Sequence, residues 1–240
     1  MSPPLIETRG VVKHFGGVQA IRGVDFALAE GELRCLIGPN GAGKSTFFKL
    51  LTGQIRPTQG KVLFRGFDIT GLHAHEIARL GIGLKTQVPS VFNGLPVREN
   101  LWIAAARRKR GTAVARAVAE QIERLRLGAF ADTAAGQLAH GQRQRVELGL
   151  VLCGEPDLIL LDEPAAGMTA EERAETADLI RDINRDHPLI VVEHDMAFIR
   201  RIARRITVFN QGEVLLEGDV EEVFTSAAVR DVYLGRAVAR

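Results

Sequence analysis

Four short runs along the chain are predominantly apolar: Leu33–Ile37, Leu158–Leu161, Leu189–Val192 and Ile206–Phe209. Near-continuous hydrophobicity, rather than alternation, is what a parallel strand covered on both faces requires. Helix-like segments lie between these runs. Thr169-Ala170-Glu171-Glu172 has the form of a capping box, and it opens a helix with Leu179, Ile180 and Ile183 on its inner face. Asp195 is placed to cap the next helix, and Asp219 with Glu222 starts a third. Strands alternating with helices predict a mostly parallel α/β sheet.

The middle of the chain reads differently. From Val97 to Cys153 the period is helical, with Val114, Val118, Ile122 and Leu125 forming one apolar stripe. Residues 88–156 are therefore expected to form a helical subdomain inserted into a nucleotide-binding α/β core made of 1–87 and 157–240. Near the start, Leu5–Phe15, Val24–Leu28 and Lys61–Phe64 are turn-bounded and alternating, which predicts a small antiparallel β layer. Val208 to Leu216, turning at Asn210-Gln211-Gly212, has the form of a hairpin.

Composition narrows the class. At 240 residues, 46% hydrophobic and 25% charged, the chain can bury an ordinary core. A net charge of +2 gives no general affinity for nucleic acid, and no nucleic-acid partner is expected. The charge is uneven, because residues 88–156 carry ten Lys/Arg against six Asp/Glu, which makes the middle the expected docking surface. Two cysteines, Cys35 and Cys153, give no disulfide framework and point to a reducing compartment. No stretch has signal-peptide character or the roughly 18 apolar residues of a membrane span, so the chain is expected to be soluble when isolated.

Chemistry enters with Gly38-Pro39-Asn40-Gly41-Ala42-Gly43-Lys44-Ser45-Thr46, which follows the first buried strand and precedes the helical run Phe47–Leu51. This is the P-loop spacing. Its glycines let consecutive N–H groups curl round a phosphate, and the helix N-terminus adds partial positive charge. Lys44 is expected on the β- and γ-phosphates and Ser45 on Mg²⁺. The strand Leu158–Leu161 then ends in Asp162 and Glu163. The first is placed for the magnesium shell and the second for orienting or deprotonating a water. The absence of an Asn-Lys-x-Asp string argues against a GTPase.

Taken in order, these motifs resemble the ATP-binding subunit of an ABC transporter over nearly the whole chain. The resemblance implies ATP and Mg²⁺ as ligands and adds further site residues. Gln87 would contact Mg²⁺ and the attacking water and link the site to the membrane partner. His194, in Val191-Val192-Glu193-His194-Asp195, would contact the γ-phosphate. Phe15 would stack on adenine, with a plain core phenylalanine as the alternative. Leu138-Ala139-His140-Gly141-Gln142 stands where the family has Leu-Ser-Gly-Gly-Gln, the loop that caps ATP held by the opposite subunit. Ala139 lacks the serine hydroxyl, so the backbone N–H groups opening the Gly141–Cys153 helix would carry the contact, and His140 can add a donor. Met168 stands where most of the family has an aspartate that bridges the subunits.

The altered signature, Gly167-Met168-Thr169, the stretch from Ala78 to Asn100 and the ending Val229 to Arg236 are similar to the branched-chain amino-acid and urea importer branch. That resemblance implies several partners: a second copy or a related ATPase as a nucleotide-sandwich dimer, integral-membrane permease subunits, and indirectly a periplasmic solute-binding protein. It also implies a peripheral position on the cytoplasmic face of the inner membrane. A lipid or lipopolysaccharide exporter ATPase and a non-transport ABC ATPase are the alternatives. Three further features are read as structural. Arg107-Arg108-Lys109-Arg110 is expected as a solvated helix end, with contact to anionic lipid as the other reading. Arg200, Arg201, Arg204 and Arg205 are expected as the wet face of a helix, and Trp102 as core.

Overall fold

The apolar runs become the buried centre of a six-stranded sheet in the computed structural model, which describes residues 3–86 and 90–234. Gln87 therefore lies outside the described residues, as do Gly235 and Arg236 of the C-terminal ending.

The chain opens with β1 (Ile6–Phe15) and β2 (Val18–Leu28), then β3 (Leu33–Ile37) and α1 (Lys44–Leu51). Strands β4 (Gln59–Phe64) and β5 (Phe67–Asp68) return to the first pair, followed by α2 (Ala74–Arg79) and β6 (Ile82–Lys85). Three helices come next without an intervening strand: α3 (Val97–Ala105), α4 (Thr112–Arg124) and α5 (His140–Leu152). The remainder alternates β7 (Leu158–Asp162), α6 (Ala170–Ile183), β8 (Leu189–Val192), α7 (Met196–Ile202) and β9 (Arg205–Asn210). It closes with β10 (Glu213–Asp219), α8 (Val220–Thr225) and α9 (Ala227–Leu234).

Two sheets result. The order β2-β1-β4-β5 is antiparallel, while β10-β9-β3-β8-β7-β6 is parallel except for the β9–β10 hairpin at its edge. Side chains alternate across a strand, and here both faces are covered. Ile159, Leu161, Leu189 and Val191 point into the core shared with the helices. Leu158, Leu160, Ile190 and Val192 point into the core shared with the antiparallel layer and α1. Phe47 of α1 fills that second core, its ring 5.5 Å from Phe26 and 5.1 Å from Phe209.

Local signals behave as their chemistry demands. Thr169 caps α6 by accepting from the Glu172 N–H at 3.2 Å while Glu172 accepts from the Thr169 N–H at 2.9 Å. The Asp195 carboxylate accepts from the N–H groups of Ala197 and Phe198, and that of Asp219 accepts from Glu222. Three expectations need correction. Trp102 is not core but 54% exposed, because α3 turns Leu101 and Ala105 inward and leaves Trp102 and Ile103 on the outer face. Arg204 and Arg205 lie beyond α7, which ends at Ile202, and Arg205 instead begins β9 and pairs with Glu217 at 3.1 Å. Helix α5 begins one residue earlier than expected, so His140 belongs to its first turn.

Helices α4 and α5 are tied to the rest of the fold by charge as well as packing. Lys85, the last residue of β6, lies 3.5 Å from Glu147 on α5, and both side chains are only 3% exposed. Burial pushes the Lys85 pKa down and the Glu147 pKa up, and each charge opposes the other's shift. Arg124 of α4 reaches Asp182 at 3.2 Å and Asp186 at 2.7 Å, and Arg145 of α5 pairs with Glu175. Breaking a buried pair strands a charge, whereas replacing both members by apolar groups does not. Lys85→Met is therefore expected to cost about 3–5 kcal/mol in urea unfolding, with most of it recovered in Lys85→Met/Glu147→Leu.

Candidate active site

The loop after β3 runs from Gly38 to Gly43 and leads directly into α1. Gly38 has φ +147°, and a Cβ there would stand 2.2 Å from the Phe209 carbonyl oxygen. Gly43 has φ +106°, and a Cβ there would meet the Ala20 carbonyl at 2.9 Å. Both positions demand glycine for conformation and for space. The tip of the β9–β10 hairpin braces the loop: the Gly212 N–H donates to the Ala42 carbonyl at 2.9 Å, and the Arg22 N–H donates to the Gly212 carbonyl at 2.8 Å. Asn40, Gly41 and Ser45 are exposed, Gly43 and Thr46 are half-buried, and Ala42 is buried. The Lys44 ammonium donates to the carbonyls of Gly38 at 2.6 Å and Pro39 at 3.0 Å. Burial lowers its pKa, against the opposing pull of Glu163 and Asp162.

The carboxyl ends of β7 and β8 bring the acidic groups to the same edge of the sheet. Asp162 has a buried Oδ1 without a hydrogen-bond partner. Burial raises its pKa, the Glu163 charge adds to the rise, and Lys85 is the strongest of the lysines that oppose it. A buried, unpartnered carboxylate oxygen fits a cation. No cluster of three or more His, Cys, Asp or Glu that could hold a metal exists among the described residues. That donor set suits Mg²⁺, which takes one or two protein oxygens and completes its shell with phosphates and water.

Glu163 adopts the left-handed region at φ +46°, a conformation that costs a non-glycine residue about 1–3 kcal/mol. Its N–H donates to the Val192 carbonyl at 2.9 Å, and its carboxylate stands 3.5 Å from His194 Nδ1. The P-loop lysine, the carboxylate pair and His194 thus converge from three adjacent parallel strands.

Sequence reading gave Glu193 no part. It is 1% exposed, and its carboxylate accepts from the Ala165 N–H at 2.9 Å and the His194 N–H at 3.1 Å. Burial raises its pKa, and the backbone donors oppose the rise. The two loops carrying Glu163 and His194 are therefore held by one buried carboxylate. Tyr233 of α9 was also missed. Burial pushes its hydroxyl pKa to about 12, with the Gly38 backbone beside it.

The altered signature lies elsewhere on the surface. Among the described residues, no hydrogen bond joins 138–142 to 38–46. Ala139 caps α5 without a side-chain acceptor, while Gln142 Oε1 accepts from the Ala139 N–H at 3.1 Å, so half of a capping box survives. Gly141 is buried, and a Cβ there would meet Glu172 Oε1 at 2.6 Å. Met168 is buried in the helical core, and the Thr176 hydroxyl donates to its sulfur at 3.3 Å.

Phe15 ends β1 and is 49% exposed with Lys13 Nζ 5.0 Å from its ring centre, which removes the core alternative. A cleft of about 790 Å³ opens between β6, α2 and α3, with Ile77, Arg79, Leu84, Phe92, Ile103 and Arg108 among its lining. Arg107 and Arg108 are exposed just beyond α3, while Lys109 pairs with Glu155. No described helix is long and apolar enough to cross a membrane.

A glycine-lined loop between strand and helix, set beside paired carboxylates, defines the P-loop nucleoside-triphosphatase class. Residues 21–166 match the ABC transporter family. The chain is 37% identical to the high-affinity branched-chain amino acid transport ATP-binding protein LivG of Salmonella typhimurium, over 99% of this chain and all of that protein. It superposes with TM-score 0.89 on the ADP conformation of MJ1267, an ATP-binding cassette of an ABC transporter, at 27% identity, covering 97% of this chain and 99% of the other. The dimeric structure of MJ0796, a bacterial ABC transporter cassette, aligns with TM-score 0.79 at 27% identity, covering 90% and 98%. The chain belongs to the ABC transporter family, and it is an ATPase.

Glu193 provides the test of this geometry. In Glu193→Gln the new amide can accept from only one of the two backbone donors and turns an NH₂ toward the other. The substitution is expected to lower the urea-unfolding free energy by about 1–3 kcal/mol. It should also reduce ATP turnover, because the Glu163 and His194 loops lose their shared anchor.

Proposed function

We propose that the chain is the ATP-hydrolysing subunit of an importer for branched-chain amino acids, working on the cytoplasmic face of the cell membrane through a separate permease. The single observation that carries this reading is the full-length likeness to LivG, joined to a site that holds the ATPase groups at one sheet edge. A solute-binding protein outside the membrane would deliver the amino acid to the permease.

In this reading the N–H groups of Gly38 to Thr46 and the dipole of α1 bind the β- and γ-phosphates, and Lys44 leaves its carbonyl partners to neutralise them. Ser45 and Asp162, with Gln87, would hold Mg²⁺, which would supply positive charge to the phosphates. Phe15 offers an exposed ring to adenine. Glu163 orients a water in line with the γ-phosphorus and accepts its proton, while His194 donates to a γ-oxygen, and their 3.5 Å separation lets both reach one reacting group.

The site of one subunit is incomplete, since Ala139, His140, Gly141 and Gln142 lie away from the P-loop. A second copy or a related ATPase, turned to face the first, brings its signature amides onto the γ-phosphate and excludes water. The dimeric cassette fold of MJ0796 supports such a pairing. The cleft between β6, α2 and α3 is the proposed seat of the permease. Its apolar floor and arginine rim suit an amphipathic segment of a membrane protein, and Leu84 and Ser90, both in its lining, bracket Gln87 in the sequence.

The direct test is Glu163→Gln. Loss of a positioned base is expected to lower turnover by about 10²–10⁴-fold, with Mg·ATP still bound. Turnover equal to that of the unaltered protein in a phosphate-release assay would remove Glu163 from the mechanism.

A further inference from the structure

We propose that His140 is a positioning residue that ties the signature loop to the loop after Glu163 within one subunit, so that capture of the partner's nucleotide is relayed to this subunit's own catalytic carboxylate. The proposal rests on the two-subunit reading above and adds a route by which the two nucleotide sites communicate.

The contacts form a continuous backbone path. His140 Nε2 stands 2.9 Å from the Ala166 carbonyl oxygen. A carbonyl only accepts, so this nitrogen carries the hydrogen. The Ala166 N–H in turn donates to the Glu163 carbonyl at 3.2 Å, and the Ala165 N–H is held by Glu193, which also receives the His194 N–H. Two hydrogen bonds therefore separate the imidazole from Glu163, across a segment in which Pro164 and Ala165 are both buried. The ring also lies against Gly167, where a Cβ would stand 3.3 Å from Nε2.

The neighbouring position strengthens the case. Met168 turns inward and packs beneath Thr176. The 165–168 loop thus offers no side-chain carboxylate to a facing subunit at that place. His140, on the first turn of a helix whose N-terminus faces the partner's nucleotide in the proposed dimer, is the side chain that joins this loop to the signature. A displacement of the α5 N-terminus on nucleotide capture pulls on the Ala166 carbonyl and shifts the strained Glu163 backbone.

The experiment compares ATP-dependence of turnover in the unaltered protein, His140→Gly, His140→Leu and His140→Gln. A glutamine amide presents its donor at nearly the reach of Nε2, whereas leucine keeps volume without a donor. At protein concentrations where activity per subunit no longer rises, so that pairing does not limit turnover, the unaltered protein should be cooperative in ATP, with a Hill coefficient approaching the number of sites, about 2. Gly and Leu should bring it to about 1, with maximal turnover within roughly tenfold and Mg·ATP affinity of the isolated subunit unchanged. Gln should restore cooperativity, which a packing role would not do. Cooperativity retained in both Gly and Leu variants, or Gln behaving as Leu does, overturns the relay. Activity per subunit that rises with protein concentration shows separately that the two-subunit reading holds. Its absence overturns both.

Discussion

The structure depends on the parallel register of three adjacent strands, β3, β8 and β7, whose carboxyl ends stop at one level. Leu36 pairs with Val192, and Val192 pairs with Asp162. Just beyond these pairs the strands end, and the chain leaves the sheet as the P-loop, as the Glu193-His194 turn and as Glu163. Because β8 lies between the other two, His194 emerges between the Gly38–Thr46 loop and Glu163. A sheet with the same strands in another order would carry the same motifs and assemble nothing.

That arrangement sets demands elsewhere. The P-loop has to approach β9 and β2 closely, so Gly38 and Gly43 have no room for a side chain, and Gly212 closes against Ala42. The left-handed Glu163 must be held by its surroundings. The Val192 carbonyl and the Glu193 carboxylate, through Ala165, hold it from two directions. Strain at Glu163 is thus opposed by buried hydrogen bonds that fix these loops.

Much of this was legible in residue order because local rules govern it. Continuous apolar runs located the central strands, the Thr169 and Asp195 caps located two helix starts, and glycine spacing located the loop between β3 and α1. What stayed hidden depends on contacts between distant residues. Glu193 looks like any acidic residue after a strand until Ala165, 28 positions earlier, is placed above it. Lys85 and Glu147 are ordinary charges until β6 and α5 bury them together. Trp102 was misread because an aromatic beside apolar neighbours looks like core, yet the phase of α3 assigns the interior to Leu101 and Ala105. Met168 showed the converse: a position expected at a subunit boundary is occupied by a side chain that fills the interior.

In the proposed mechanism one subunit holds an incomplete site, which nucleotide completes by pairing two of them. Sedimentation of Glu163→Gln with Mg·ATP measures this most directly, since the bound nucleotide is not consumed. The predicted result is a dimer with ATP and a monomer with ADP at the same protein concentration. A protein that binds Mg·ATP and still sediments as a monomer, at every concentration up to the highest tested, would contradict it.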